Sequence, residues 1–107
     1  INIRQGAGDK SAGWEHVVNE HFSGKSNASQ FSISGDELRA ILSSEKVIKA
    51  PVVGLLSGNW RREIDMGRQM GHASATKGGA PTNILTVLTD AFGNLVTAFP
   101  GKLVLPP

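Results

Sequence analysis

The chain of 107 residues contains no cysteine. That excludes a disulfide framework and any zinc site built on thiolates. It fits a domain that works in a reducing cytosol, and equally one that must unfold to cross a membrane. No apolar run approaches the roughly 20 residues that a membrane-spanning helix needs. The start lacks the basic-then-apolar pattern of a signal peptide. Since it opens on Ile1 rather than Met, the chain is expected to be a fragment or processed piece of something longer. Motifs that announce a cofactor or a familiar catalytic machine are missing too. There is no phosphate-binding Walker loop, no G-x-G-x-x-G, no H-E-x-x-H and no G-x-S-x-G, and no internal repeat. Neither sign of charge dominates: 11 Lys and Arg stand against 9 Asp and Glu, for a net charge of +2. That balance permits a nucleic-acid partner without demanding one. With 39% hydrophobic and 19% charged residues the composition is that of a globular domain.

The strongest positive signal is Thr82 to Gly101. Two apolar, β-branched runs flank Asp90-Ala91-Phe92-Gly93. Asp favours the first position of a type I turn, and Gly tolerates the left-handed conformation at its end. A three-residue hairpin with a bulge is predicted. The expected register pairs Asp90 with Asn94, Thr89 with Leu95, Val87 with Thr97 and Leu85 with Phe99. Thr89 and Thr97 would then share one face. If the helices covered that face, Thr97 would be packing and the site would lie elsewhere.

Before the hairpin, Ile1 to Gly13 reads as a linker or arm. Trp14 to Phe22 reads as a helix, with Ser11 as its cap and Trp14, Val18 and Phe22 as its stripe. It carries His16 and His21, two of the three histidines. Five residues turn a helix by about 140°, which puts the two on different sides. Each is either ordinary helix surface and packing or a general acid–base group, since imidazole titrates nearest neutral pH. A loop from Ser23 to Ser34 holds Lys25 and an extended QFSI piece. Ser34 to Ser44 is the clearest helix, with Ser34 and Glu37 at capping-box spacing and Leu38, Ile41 and Leu42 buried. Lys46 to Leu56 is β-rich, with Pro51 at a strand start or an edge and Gly54 marking a bulge. Trp60 to Met66 alternates: Trp60, Arg62, Ile64 and Met66 share one face, and Arg61, Glu63 and Asp65 the other. Either arginine can clamp a phosphate; Arg61 can equally pair across strands with a carboxylate. Gly67 to Pro81 reads as a long basic loop with Arg68, His72 and Lys77. Lys102 to Pro107 adds at most a short edge strand.

Helices followed by antiparallel strands make an α+β domain, with N-terminal helices on a four- to five-stranded sheet. Its reactive inventory is imidazole, guanidinium, ammonium and hydroxyl. Those groups suffice for metal-free RNA cleavage, where the 2′-hydroxyl is the nucleophile. Metal-ligand clustering is absent from the sequence, which disfavours DNA cleavage.

GWEHVVNEHF, SQF, SGNWRREIDMGRQMG and VLTDAFGNLVTAFPG, in that order, resemble the C-terminal toxin domains of contact-dependent growth inhibition proteins, the CdiA effectors. More narrowly they resemble the tRNA-cleaving toxins of the barnase/EndoU/colicin/RelE-like group. The likeness spans roughly residues 13 to 101. It implies a linker over 1–12 and a toxin nuclease domain over 13–107. It implies a ribonuclease toxin without a metal or cofactor, acting on tRNA in a competing bacterium's cytoplasm. Such a toxin is delivered from the cell surface as the end of a larger protein and blocked by a cognate immunity protein. For some relatives elongation factor Tu is a further partner. By matching position, His21 and His16 are the acid–base candidates, Arg61 or Arg62 steadies the phosphate, and Thr97 with Thr89 lines the cleft; Lys77 and Lys25 are candidate substrate contacts. The readings left beside it are a non-enzymatic RNA- or protein-binding module and a DNA-cleaving toxin.

Overall fold

The computed structural model describes residues 1–3 and 12–103. The chain order is α1 (Gly13–His21), β1 (Gln30–Phe31), α2 (Gly35–Leu42), α3 (Glu45–Ile48), β2 (Val53–Gly54), β3 (Trp60–Asp65), β4 (Gly71–His72), a 3-10 turn (Ala75–Lys77), β5 (Pro81–Thr82), β6 (Ile84–Thr89) and β7 (Leu95–Pro100). The architecture is α+β, as expected. Its main sheet is antiparallel in the order β2-β3-β6-β7, and a smaller antiparallel sheet runs β1-β4-β5. The small sheet arises where a plain loop was predicted: part of the Gly67–Pro81 segment pairs with the extended QF piece. No helix among the described residues is long and apolar enough to cross a membrane.

The first helix is rotated relative to the predicted stripe. Trp14 and Val17 are buried while Val18 is 40% exposed. Trp14, Val17 and His21 stand three and four apart, so they share the inward face and His21 is carried with them. Ser11, predicted to cap this helix, lies outside the described residues; Ala12 occupies the cap position and makes no side-chain cap bond. In α2 the capping expectation holds. The Ser34 hydroxyl accepts the Glu37 N–H at 3.1 Å, satisfying one of the unpaired amides of the first turn. Leu38 and Leu42 go fully into the core.

The Lys46–Leu56 run departs from its β-rich reading. Residues 45–48 form one helical turn, and only Val53–Gly54 are strand. That turn sends Val47 into the core and leaves Ile48 46% exposed. Tertiary burial of one side chain here outweighs the β-preference of its neighbours. Gly54 is opposite Trp60, and no bulge is needed to explain it. A Cβ there would come within 3.1 Å of the Trp60 ring, so glycine makes room for the indole.

The turn of the β6–β7 hairpin forms as the residues dictate. The Asp90 carboxylate accepts the N–H groups of Phe92 and Asn94 at 2.9 and 3.0 Å, and Gly93 adopts φ +80°. Thr89 pairs with Leu95, as predicted. Then a bulge intervenes: Leu88 pairs with Thr97, and Val96 is the extra residue. Beyond it the register is shifted by one, with Val87 opposite Ala98 and Leu85 opposite Pro100. The inner face of the sheet therefore carries Ile64, Leu85, Val87, Leu95 and Ala98, all in the core with Trp14, Val17, Leu38, Leu42, Val47 and Met70. Thr97 and Phe99 are turned to the outer face.

Candidate functional site

The pairing of β3 with β6 puts Arg61 opposite Leu88 and Glu63 opposite Thr86. With Leu88 opposite Thr97 and Thr86 opposite Phe99, two rows cross the outer face: Arg61–Leu88–Thr97 and Glu63–Thr86–Phe99. Arg61 and Thr97 are thus aligned, about 10 Å apart across two strand spacings. Arg62 is on the inner face, opposite Val87. Of the two candidate arginines, only Arg61 shares a face with Thr97. Thr89 shares the inner face with Trp60 and is 2% exposed, so the expectation that it lines a cleft with Thr97 is overturned by the bulge.

Polar groups on this face are short of partners. Among the described residues, Nε of Arg61 and Oγ1 of Thr97 are buried without a hydrogen-bond partner, as is Nε of Arg62 on the other side. Unpaired buried polar atoms cost roughly 1–3 kcal/mol each, so they mark places where a ligand's polar atoms are wanted. Thr86, in contrast, is satisfied: its hydroxyl donates to the Gly101 carbonyl at 2.6 Å.

Helix α1 packs along β7 and brings the histidines to the same edge. The His21 ring lies 5.6 Å from that of Phe99 and 6.4 Å from that of Phe31. His16 and His21 were expected on different sides, yet their rings stand edge-on 6.2 Å apart. Side chains lean toward the N-terminus of a helix, which tips the terminal His21 back over the preceding turn. His21 Nδ1 is 2.8 Å from the Ser29 carbonyl oxygen. A carbonyl can only accept, so Nδ1 carries the proton and Nε2 keeps its lone pair. Burial holds the His21 pKa below its ordinary value, and the neighbouring His16 pushes the same way; the Ser29 bond and Glu20 oppose them. The ring is therefore neutral at pH 7, in the tautomer a general base requires.

The loop that carries Ser29 is tied down by Gln30. The buried Gln30 amide donates to the carbonyls of Glu20, Lys25 and Ala28 and accepts the Gly24 N–H at 2.9 Å. This one side chain ties the loop after α1 to the helix end.

The remaining candidates lie apart from these rows. Lys25 pairs with Glu20 at 2.7 Å, and its hydrogen bond holds the Glu20 carboxyl below the usual range. It borders a cleft of about 380 Å³ together with His72, Phe22 and Phe31. Lys77, on the 3-10 turn, borders a second cleft of about 470 Å³ that reaches Phe99. Two residues of the outer face were not singled out in the sequence. Glu63 was visible as a face-mate of Arg61. Lys102, 4.0 Å from Glu63, carried no sequence signal. Among the described residues no group of three or more His, Cys, Asp or Glu is placed to hold a metal ion. Compared with family models, curated proteins and solved structures, the chain matches none of them.

Proposed function

We propose that this chain is a metal-independent endoribonuclease toxin that cleaves tRNA in a competing bacterium. The observation that carries the reading is that Arg61 and Thr97 share a row of the outer face, and that the next row ends on Phe99, the ring against which the tautomer-fixed His21 packs. RNA supplies its own nucleophile, so the protein needs only a proton acceptor, a proton donor and a cation for the phosphorane charge. In this scheme His21 Nε2 takes the proton of the 2′-hydroxyl. The 2′-oxygen bonds to phosphorus, the bond to the 5′-oxygen breaks, and the leaving oxygen is protonated by His16. The products are a 2′,3′-cyclic phosphate and a free 5′-hydroxyl. Arg61 meets the non-bridging oxygens, a geometry guanidinium suits. The Thr97 hydroxyl donates to the same group.

The choice of tRNA, delivery at the end of a larger protein and neutralisation by a cognate immunity protein rest on the resemblance of the chain to contact-dependent growth inhibition toxins. An immunity protein for this face would present carboxylates to Arg61 and the neighbouring lysines. Dependence on elongation factor Tu belongs to the same proposal.

The test is incubation of purified protein with total tRNA in the presence of EDTA. Fragments ending in 2′,3′-cyclic phosphate are expected, with loss of about 10²–10⁴-fold in rate for His21→Ala. Activity abolished by chelation, or RNA bound but left intact, would overturn the proposal.

A further inference from the structure

We infer that the 470 Å³ cleft between the 3-10 turn and the end of β7 binds one nucleotide of single-stranded RNA, its base against Phe99 and its flanking phosphates against Lys77 and Lys102. The inference rests on the ribonuclease reading and extends it to a substrate subsite. The cleft is within the size range of small-ligand sites. Its lining combines an aromatic ring, two ammonium groups, the Asn27 amide and the Ser29 and Thr82 hydroxyls, and includes no carboxylate among the described residues. A ring for stacking beside cations for the backbone is the chemistry of single-strand recognition, and hydroxyl and amide groups suit the edge of an unpaired base.

The cleft is also joined to the proposed reaction centre. Phe99 and Ser29 belong to both: the Phe99 ring is 5.6 Å from His21, and the Ser29 carbonyl accepts from His21 Nδ1. Its walls are tied together. The Thr76 N–H donates to the Ser26 carbonyl at 3.0 Å, linking the 3-10 turn to the loop that Gln30 holds. A nucleotide seated there lies next to the bond that His21 would open.

The experiment uses a fluorescent RNA oligonucleotide with every 2′-hydroxyl methylated, which keeps bases and phosphates but cannot be cleaved. Binding is measured by anisotropy over a range of salt. The Lys77→Ala/Lys102→Ala protein is expected to bind more weakly, with a salt slope shallower by about 1.4, which is two phosphate contacts on a single strand. Phe99→Leu is expected to lose about tenfold in affinity, and Phe99→Trp to keep it. An abasic oligonucleotide should bind wild type and Phe99→Leu alike. Wild-type affinity and slope in the double variant would overturn the cleft assignment, and so would a complete lack of binding by the wild type. If tRNA is cleaved but the variants bind as wild type, the subsite fails and the ribonuclease stands. If tRNA stays intact while the lysine and Phe99 dependences appear, the catalytic reading fails and the subsite stands.

Discussion

At the scale of single residues, His21 is the proposed base and also carries a stability signature. Its pKa is lowered in the folded chain by burial, reinforced by His16 and Lys25 and opposed by the Ser29 bond and Glu20. The unfolded ring titrates near 6.5. The stabilisation is then fully present above about pH 6.5 and is lost as pH falls through the lower folded value, because the unfolded chain binds the proton first. Urea unfolding should show wild type losing more stability than His21→Gln between about pH 7.5 and pH 5; equal losses would mean that His21 is not held neutral by the fold. The two arginines give a second residue-level test. Arg61→Ala removes the cation of the outer face and should lower kcat by about 10²–10³-fold, the effect of losing a charge-stabilising donor. Arg62→Ala should leave kcat near wild type, because the alternation of the strand sends Arg62 to the other side. Equal losses from both would sink the assignment of the site to the outer face.

At the scale of elements, the hairpin bulge and the small sheet decide where the site forms. Both faces of the hairpin are largely apolar in sequence, so hydrophobic alternation alone does not choose between a regular ladder and one displaced by a residue. The bulge at Val96 puts Ala98 and Pro100 inward and Thr97 and Phe99 outward. That choice is settled by fit. Pro100 is fully buried and lies where a Cβ on Gly71 would collide with it and with the Gln30 carbonyl. Gly71→Ala should therefore force β1 and β4 apart and cost about 1–3 kcal/mol, as overpacking does. The same change should loosen Gln30 and the Ser29 carbonyl, so His21 should lose its protection in a pH–rate profile. A variant of wild-type stability and pH profile would show that the small sheet does not position the histidine. Helix α2 contrasts with this. Ser34, the spacing to Glu37 and the Leu38–Leu42 stripe were all readable because helix caps and helical periodicity are local.

At the scale of the whole molecule, one core joins helices α1, α2 and α3 to the inner face of the main sheet. A domain of 11.3 kDa has roughly 5–15 kcal/mol of stability. Leu42→Ala, at a fully buried position, should cost about 2–5 kcal/mol, a large part of that total. Thermal or urea unfolding measures it directly. A loss well below this range would mean that the core around α2 collapses to fill the space. Exposed ion pairs such as Lys49–Glu45, at 3.7 Å with both side chains mostly in solvent, add little by comparison. Helices α1, α2 and α3 fill this core from the inner side, while Arg61, Glu63, Thr97 and Phe99 stand on the outer face, where Thr97 is only 9% exposed and the end of α1 packs His21 against Phe99.

The amino-acid sequence by itself determined the α+β class, the Asp90–Gly93 turn, the capped helix after Ser34, the alternating strand with Arg61 and Arg62 on opposite faces, and the pair of histidines on one helix. All of these depend on neighbours a few residues apart. Only the tertiary structure decided that Val96 is an extra residue, that Thr97 rather than Thr89 stands in line with Arg61, that His16 and His21 meet, and that the Ser29 carbonyl fixes a histidine's proton. None of these follows from residue spacing alone: each is settled by which side chains fit the shared core and which buried polar groups find partners.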